Sequence, residues 1–200
     1  MGKIKYKGGG IIPVSIHNGK VFLLLGRENK YCKDGAGKYC DFGGGNDGED
    51  ILENVARECA EETLGFLGNK DDIKKKIKNC DVEFSIGKEY VIYFMPIMYN
   101  EILPEYFNNS QKIIQEYIPK KILSTNKIYE KDKMRWFSIN DLINKKNELR
   151  KWFKITSKEI ISKHNKIKKF IIHCTTKEKD LEKQKTKKIK RKKTKQTKKL

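Results

Sequence analysis

The sequence is poor in the residues that build several common kinds of site. Its three histidines, His17, His164 and His173, are scattered, and its five cysteines, Cys32, Cys40, Cys59, Cys80 and Cys174, show no CxxC spacing. A structural zinc site needs clustered ligands at short spacing, so none is expected, and His173-Cys174 reads as an isolated pair. An odd number of cysteines without a pairing pattern is expected to be reduced, as in a cytosolic compartment. No stretch approaches the roughly 18 consecutive apolar residues of a membrane span. The first residues, Met1 to Lys7, lead into three glycines and not into an apolar signal core. These absences point to an intracellular, cytoplasmic protein without a membrane partner.

Apolar residues are also scarce, at 37%, which is low for a globular chain. The deficit is local. Residues 177–200 carry 13 Lys or Arg against 3 Asp or Glu, about half of the net charge of +19. So charged and apolar-poor a segment is expected to be a disordered basic tail. It either contacts nucleic acid through phosphates, acts as a nuclear address, or has no specific partner. Residues 1–176 keep enough Ile, Leu, Val, Phe, Tyr and Trp for one core, and read as one domain with a C-terminal helical extension.

Within that domain, 11–17 and 21–25 read as two strands around Asn18-Gly19, a dipeptide suited to a tight turn with both φ values positive. Gly8-Gly9-Gly10 reads as a turn, and 38–42 as a short strand before Gly43-Gly44-Gly45. Residues 50–64 read as a helix, with Asp50 and Glu53 spaced as a capping box and Leu52, Val55, Ala56, Cys59 and Thr63 on one stripe. Gly65 ends it. Strands follow at 82–86 and 90–98, a helix at 105–117, a strand within 127–137, a helix from Ser138 to about 143, and a last helix at about 154–170. The order is that of an α/β chain of the α+β type, a mixed β-sheet sandwiched between helices.

The helix at 50–64 carries the chemistry. Glu58, Glu61 and Glu62 stand at i, i+3 and i+4, within an arc of about 100°. Like charges so placed repel. A solvated face would interleave lysines, yet residues 50–64 hold Arg57 and no Lys. A divalent cation offsets such a cluster, and hard oxygen ligands select Mg2+ or Mn2+. Gly43 and Gly44, just upstream, let backbone N–H groups approach a phosphate.

The stretch from Gly43 to Phe66 resembles the box of the Nudix hydrolase family, G-x5-E-x7-R-E-U-x-E-E-x-G-U, with U apolar. Gly43, Glu49, Arg57, Glu58, Cys59, Glu61 and Glu62 fall in register, and one additional residue precedes Gly65. The resemblance implies a Nudix-like fold over roughly residues 8–150 and Mg2+-dependent cleavage of a pyrophosphate bond in a nucleoside diphosphate linked to another moiety. It implies that Glu58, Glu61 and Glu62 bind the metal, and that Glu49 pairs with Arg57 to support the box. The general base is then Glu58 or Glu62, or an outside acid such as Glu130, next to Asp132. The substrate is a nucleotide-type small molecule or, as an mRNA-decapping alternative favoured by the basic charge, capped RNA. An alternative of another class is a non-catalytic nucleotide- or RNA-binding module of Nudix fold.

Overall fold

The computed structural model describes residues 6–78, 85–126 and 129–177. Its centre is a mixed sheet of β1 (Gly8–His17), β2 (Lys20–Glu28), β3 (Tyr39–Cys40), β4 (Phe42–Gly45), β5 (Ser85–Ile86), β6 (Tyr90–Pro96) and β7 (Lys131–Ser138). β1 lies parallel to β6 along one edge. Along the other it pairs antiparallel with β4 through Gly8–Ile11 and with β2 through Val14–His17. β7 extends the sheet beyond β2. The strands read as 82–86 and 127–137 begin in part outside the described residues, as do Cys80 and the tail beyond residue 177.

Both faces of the sheet are covered, so apolar side chains alternate to both sides. Val91, Tyr93 and Met95 of β6 join a core with Leu52, Val55, Ala56 and Cys59 of helix α1 (Ile51–Glu62). Helices α2 (Lys70–Lys78) and α3 (Leu103–Tyr117) add Ile73, Ile77 and Phe107 to that layer. Ile92 and Phe94 face the opposite core, closed by Leu142 of α5 (Ile139–Asn144), Phe153 and Ile160 of α6 (Phe153–Ser162), and Ile167, Phe170 and Ile171 of α7 (residues 164–177). Helix α4 (Lys120–Thr125) lies between α3 and β7 and buries only Leu123. The mixed sheet between helices expected from the element order is therefore observed.

Several local expectations hold and others shift. Asn18 and Gly19 have φ of 49° and 72° and join β1 to β2 in a two-residue turn. Gly8-Gly9-Gly10 is no turn: these residues are strand, paired one to one with Gly45, Gly44 and Gly43. The two triplets make a bare strip of sheet. A Cβ on Gly10 would lie 1.8 Å from the Asp41 carboxylate, and one on Gly44 2.8 Å from that of Glu58. Acids fill the space that side chains would take. The last helix breaks at Lys163, which caps α6 before α7 begins. Helix α2 had no strong periodic signal, since Ile73 and Ile77 are its only buried residues in a run of charges.

Cys32, Cys40 and Cys59 are free thiols, but Cys174 is disulfide-bonded, which corrects the expectation that all five cysteines are reduced. Among the described residues no helix is long and apolar enough to cross a membrane.

Candidate active site

Helix α1 presents its acids as a gradient from solvent to core. Asp50 caps the helix by accepting the Leu52 N–H at 3.0 Å. Glu53 does not close a capping box; it pairs with Lys70 at 3.1 Å and with Lys74, both from α2. The apolar stripe fixes the helix roll, and the arc of acids follows from it. Glu61 keeps 36% of its side-chain surface, Glu58 10% and Glu62 2%.

Two cations organise these carboxylates. At the rim, the Arg57 guanidinium reaches Glu49 at 3.3 Å, Glu58 at 2.9 Å and Glu61 at 3.2 Å. Inside, Glu62 accepts the Gly43 N–H at 2.8 Å and lies 3.3 Å from the ammonium of Lys131. Lys131 in turn donates to Glu28 at 2.7 Å. The same Glu28 oxygen accepts from the Cys40 thiol at 3.1 Å and from Arg150 at 2.9 Å. Arg150 is held there because its N–H bonds the Tyr39 carbonyl at 3.0 Å.

Burial sets the proton affinities. Desolvation pushes the Glu62 carboxyl well above the usual range, with Lys131 opposing it and Glu28 and Glu130 adding to it. Burial also works against ionised Glu28, but Lys131, Cys40 and Arg150 outweigh it and hold that carboxyl low. Lys131 loses hydration as well, and the surrounding Cys40, Glu62 and Glu28 still keep it firmly charged. Asp41, under Gly10, is pushed up to about 6 by burial, though Lys131 and a 3.1 Å hydrogen bond from the Tyr90 hydroxyl pull it back in part. Its other oxygen, Oδ1, is buried without a hydrogen-bond partner.

The acid named outside the helix, Glu130, precedes β7 and acts on the Glu62 proton from there. Asp132 is held by Arg27 in a two-bond clamp of 2.7 and 2.9 Å. Glu28, Asp41, Lys131 and Arg150 were not expected. Glu28 and Lys131 are charges at inward strand positions, which alternation alone does not separate from outward ones, and Asp41 and Arg150 lie outside the strands, where no periodicity marks them.

The acids do not meet around a common point. Among the described residues no group of three or more His, Cys, Asp or Glu is disposed to hold a metal ion. The repulsion within the cluster is met by cations of the chain itself, supplied by Arg57 and, from β7, by Lys131, while Lys70 and Lys74 of α2 pair with Glu53. The absence of lysine from residues 50–64 was therefore no guide to the whole charge balance. The donor chemistry still suits a hard divalent cation. Glu58 and Glu61 stand one turn apart on the outer side of the cluster, both paired with the Arg57 guanidinium, and Gly44 leaves Glu58 room.

No protein-family model matches the chain, and comparison with curated proteins finds no match. Solved structures do. A MutT protein from Methanosarcina mazei Go1 is 16% identical, over 83% of this chain and 99% of that one, with a TM-score of 0.43. A mutT/nudix family protein from Listeria innocua is 14% identical, over 83% and 96%, at 0.42. An Ap4A hydrolase from C. elegans is 14% identical, over 69% and 83%, at 0.40. The chain is similar in structure to Nudix and MutT proteins. At such scores the likeness says nothing of substrate, and the chemistry rests on this chain's own residues.

Against the Nudix pattern, one departure now has a structural form. Helix α1 ends at Glu62, two residues before the expected Leu64. The Gly65 N–H bonds the Ala60 carbonyl at 2.9 Å and the Leu64 N–H that of Glu61 at 3.0 Å, a Schellman cap. Leu64 therefore sits in the left-handed slot, with φ of 51°, where the pattern places glycine. Glycine follows one residue later, so the slip falls after every acid.

Proposed function

We propose that the chain is a pyrophosphohydrolase of Nudix type, cleaving a nucleoside diphosphate linked to another moiety with the help of Mg2+ or Mn2+. One observation carries this reading. Glu58 and Glu62, from one helix, are set against the glycine strip at Gly43–Gly44, Glu62 accepting the Gly43 N–H and Glu58 filling the space beside Gly44, which gathers carboxylates of the helix acid cluster at one edge of the sheet. Glu58, Glu61 and Glu62 are the residues that would hold the cation, once Glu58 and Glu61 exchange Arg57 for it. A bound divalent ion would supply charge neutralisation and an activated water. Arg57, anchored by Glu49, keeps the helix acids aligned. Glu58, or Glu130, whose charge bears on Glu62, would take the proton from a nucleophilic water.

The test is hydrolysis of a nucleotide panel by the full chain, in Mg2+ and in EDTA. We expect Mg2+-dependent release of a nucleoside monophosphate or diphosphate, reduced about 100-fold or more by Glu58→Gln. A binding module without catalysis would retain nucleotide affinity and release nothing from any substrate, which would overturn the proposal.

A second reading, decapping of RNA, is favoured by the outer layer of the fold. Residues 150–177 hold nine Lys or Arg and a single acid, Glu159, and Lys158, Lys166 and Lys169 are exposed. Phosphate contacts add affinity without sequence preference. Release of m7GDP from capped RNA that falls steeply with salt, and weakens when residues 177–200 are removed, supports it. Equal activity of both forms on a small nucleotide contradicts it.

A further inference from the structure

Lys131 is a charged group at the site that the hydrolase reading does not use, and it is almost wholly buried. Its side chain is 1% exposed. The stem runs beside Gly26, where a Cβ would lie 3.0 Å from the Lys131 Cδ and 2.6 Å from Phe42. Only glycine at 26 leaves this channel open. The ammonium ends between Glu28 at 2.7 Å, Cys40 at 3.2 Å and Glu62 at 3.3 Å. Glu28 already has Cys40 and Arg150 as donors. Among the described residues Glu62 has only Lys131 and the Gly43 N–H, one on each oxygen.

We infer that Lys131 is a resident counter-cation that competes with a divalent ion for Glu62. This inference rests on the reading of Glu58, Glu61 and Glu62 as cation ligands. A divalent ion seated on Glu58 and Glu61 reaches Glu62 only by sharing it with a fixed positive charge. In a buried setting that repulsion is weakly screened. Two consequences follow. The acid cluster folds without added metal, because an ammonium neutralises its buried end. Affinity for the divalent ion is lower than three helix carboxylates alone would give. Lys131 is thus a positioning residue, setting where Glu62 points and how strongly the cluster attracts a cation.

The experiment compares the full wild-type chain with Lys131→Met and with the double variant Lys131→Met, Glu28→Gln. The double variant removes one charge of each sign and so keeps the net charge of the buried cluster as it is in wild type, which guards against misfolding from the lost ammonium. Mn2+ affinity is measured by calorimetry, and Tm in EDTA and in Mn2+. We expect both variants to bind Mn2+ at least 10-fold more tightly than wild type. Mn2+ should also raise their Tm by more than it raises that of wild type. Uptake by the variants alone supports the inference equally. Uptake by wild type that is unchanged or weaker in the variants overturns the role of Lys131 and leaves the hydrolase reading standing. No uptake by any of the three proteins overturns both.

Discussion

Two clusters in this protein share a design and differ in solvent. At the rim, Glu49, Glu58 and Glu61 surround Arg57. In the interior, Glu28 and Glu62 flank Lys131. The pairs of Arg57 with Glu49 and Glu61 lie toward solvent, where ion pairs contribute at most about 1 kcal/mol and salt screens them, while that with Glu58 is more sheltered. The interior pairs are held more firmly, because charges taken out of water must stay matched. The acids of one helix therefore divide into an outer part paired with Arg57 and an inner one, Glu62, paired with Lys131.

The strongest way to break this comparison is to remove each central cation. Lys131→Met in EDTA should cost about 3–5 kcal/mol of unfolding free energy, the usual effect of stranding a buried charge, read as a lower urea midpoint. A loss below about 1 kcal/mol would mean the interior is wetter than its burial implies.

Asp41 sharpens the comparison through pH. Its folded carboxyl is pushed up to about 6 from an ordinary 3.8, so the native state binds that proton more tightly than the unfolded chain. Its contribution is therefore present at low pH and is lost as pH rises from about 4 to about 6. The full loss is about 3 kcal/mol. Asp41→Asn should exceed wild type in stability above pH 6 and converge with it near pH 4. A pH-independent difference between the two would contradict the assignment.

A smaller effect comes from filling the glycine strip at its two levels. Gly10→Ala drives a methyl against buried Asp41 and against the Phe42 carbonyl, which a Cβ would approach to 2.9 Å, and should cost about 1–3 kcal/mol. Gly44→Ala meets only the Glu58 carboxylate, which can move, so it should leave stability nearly intact and instead lower Mg2+-dependent activity.

The least effect on stability is expected from Arg57→Ala, about 1 kcal/mol or less by denaturant titration. A loss comparable to that of Lys131→Met would erase the distinction between rim and interior.

The sequence disclosed this arrangement unevenly. Helix α1 was legible because its apolar stripe and its acids have helical spacing, and the β1–β2 turn because Asn-Gly accepts positive φ. The function of Gly8–Gly10 was not legible. Three glycines suggest a turn, and only pairing with Gly43–Gly45 and the approach of Asp41 make them strand. Lys131 and Glu28 are 103 residues apart and meet only because β7 pairs with β2. The lack of lysine in residues 50–64 misleads for the same reason, since charge balance is settled in space and not within one helix.

The central claim is that Glu58 and Glu61 can release Arg57 and hold a divalent cation. A crystal soaked in Mn2+ and measured for anomalous scattering tests it directly. The account predicts a peak about 2.1 Å from oxygens of both glutamates, with the guanidinium swung toward Glu49. Arg57 still bridging the two carboxylates, with no peak beside them at saturating Mn2+, would contradict it.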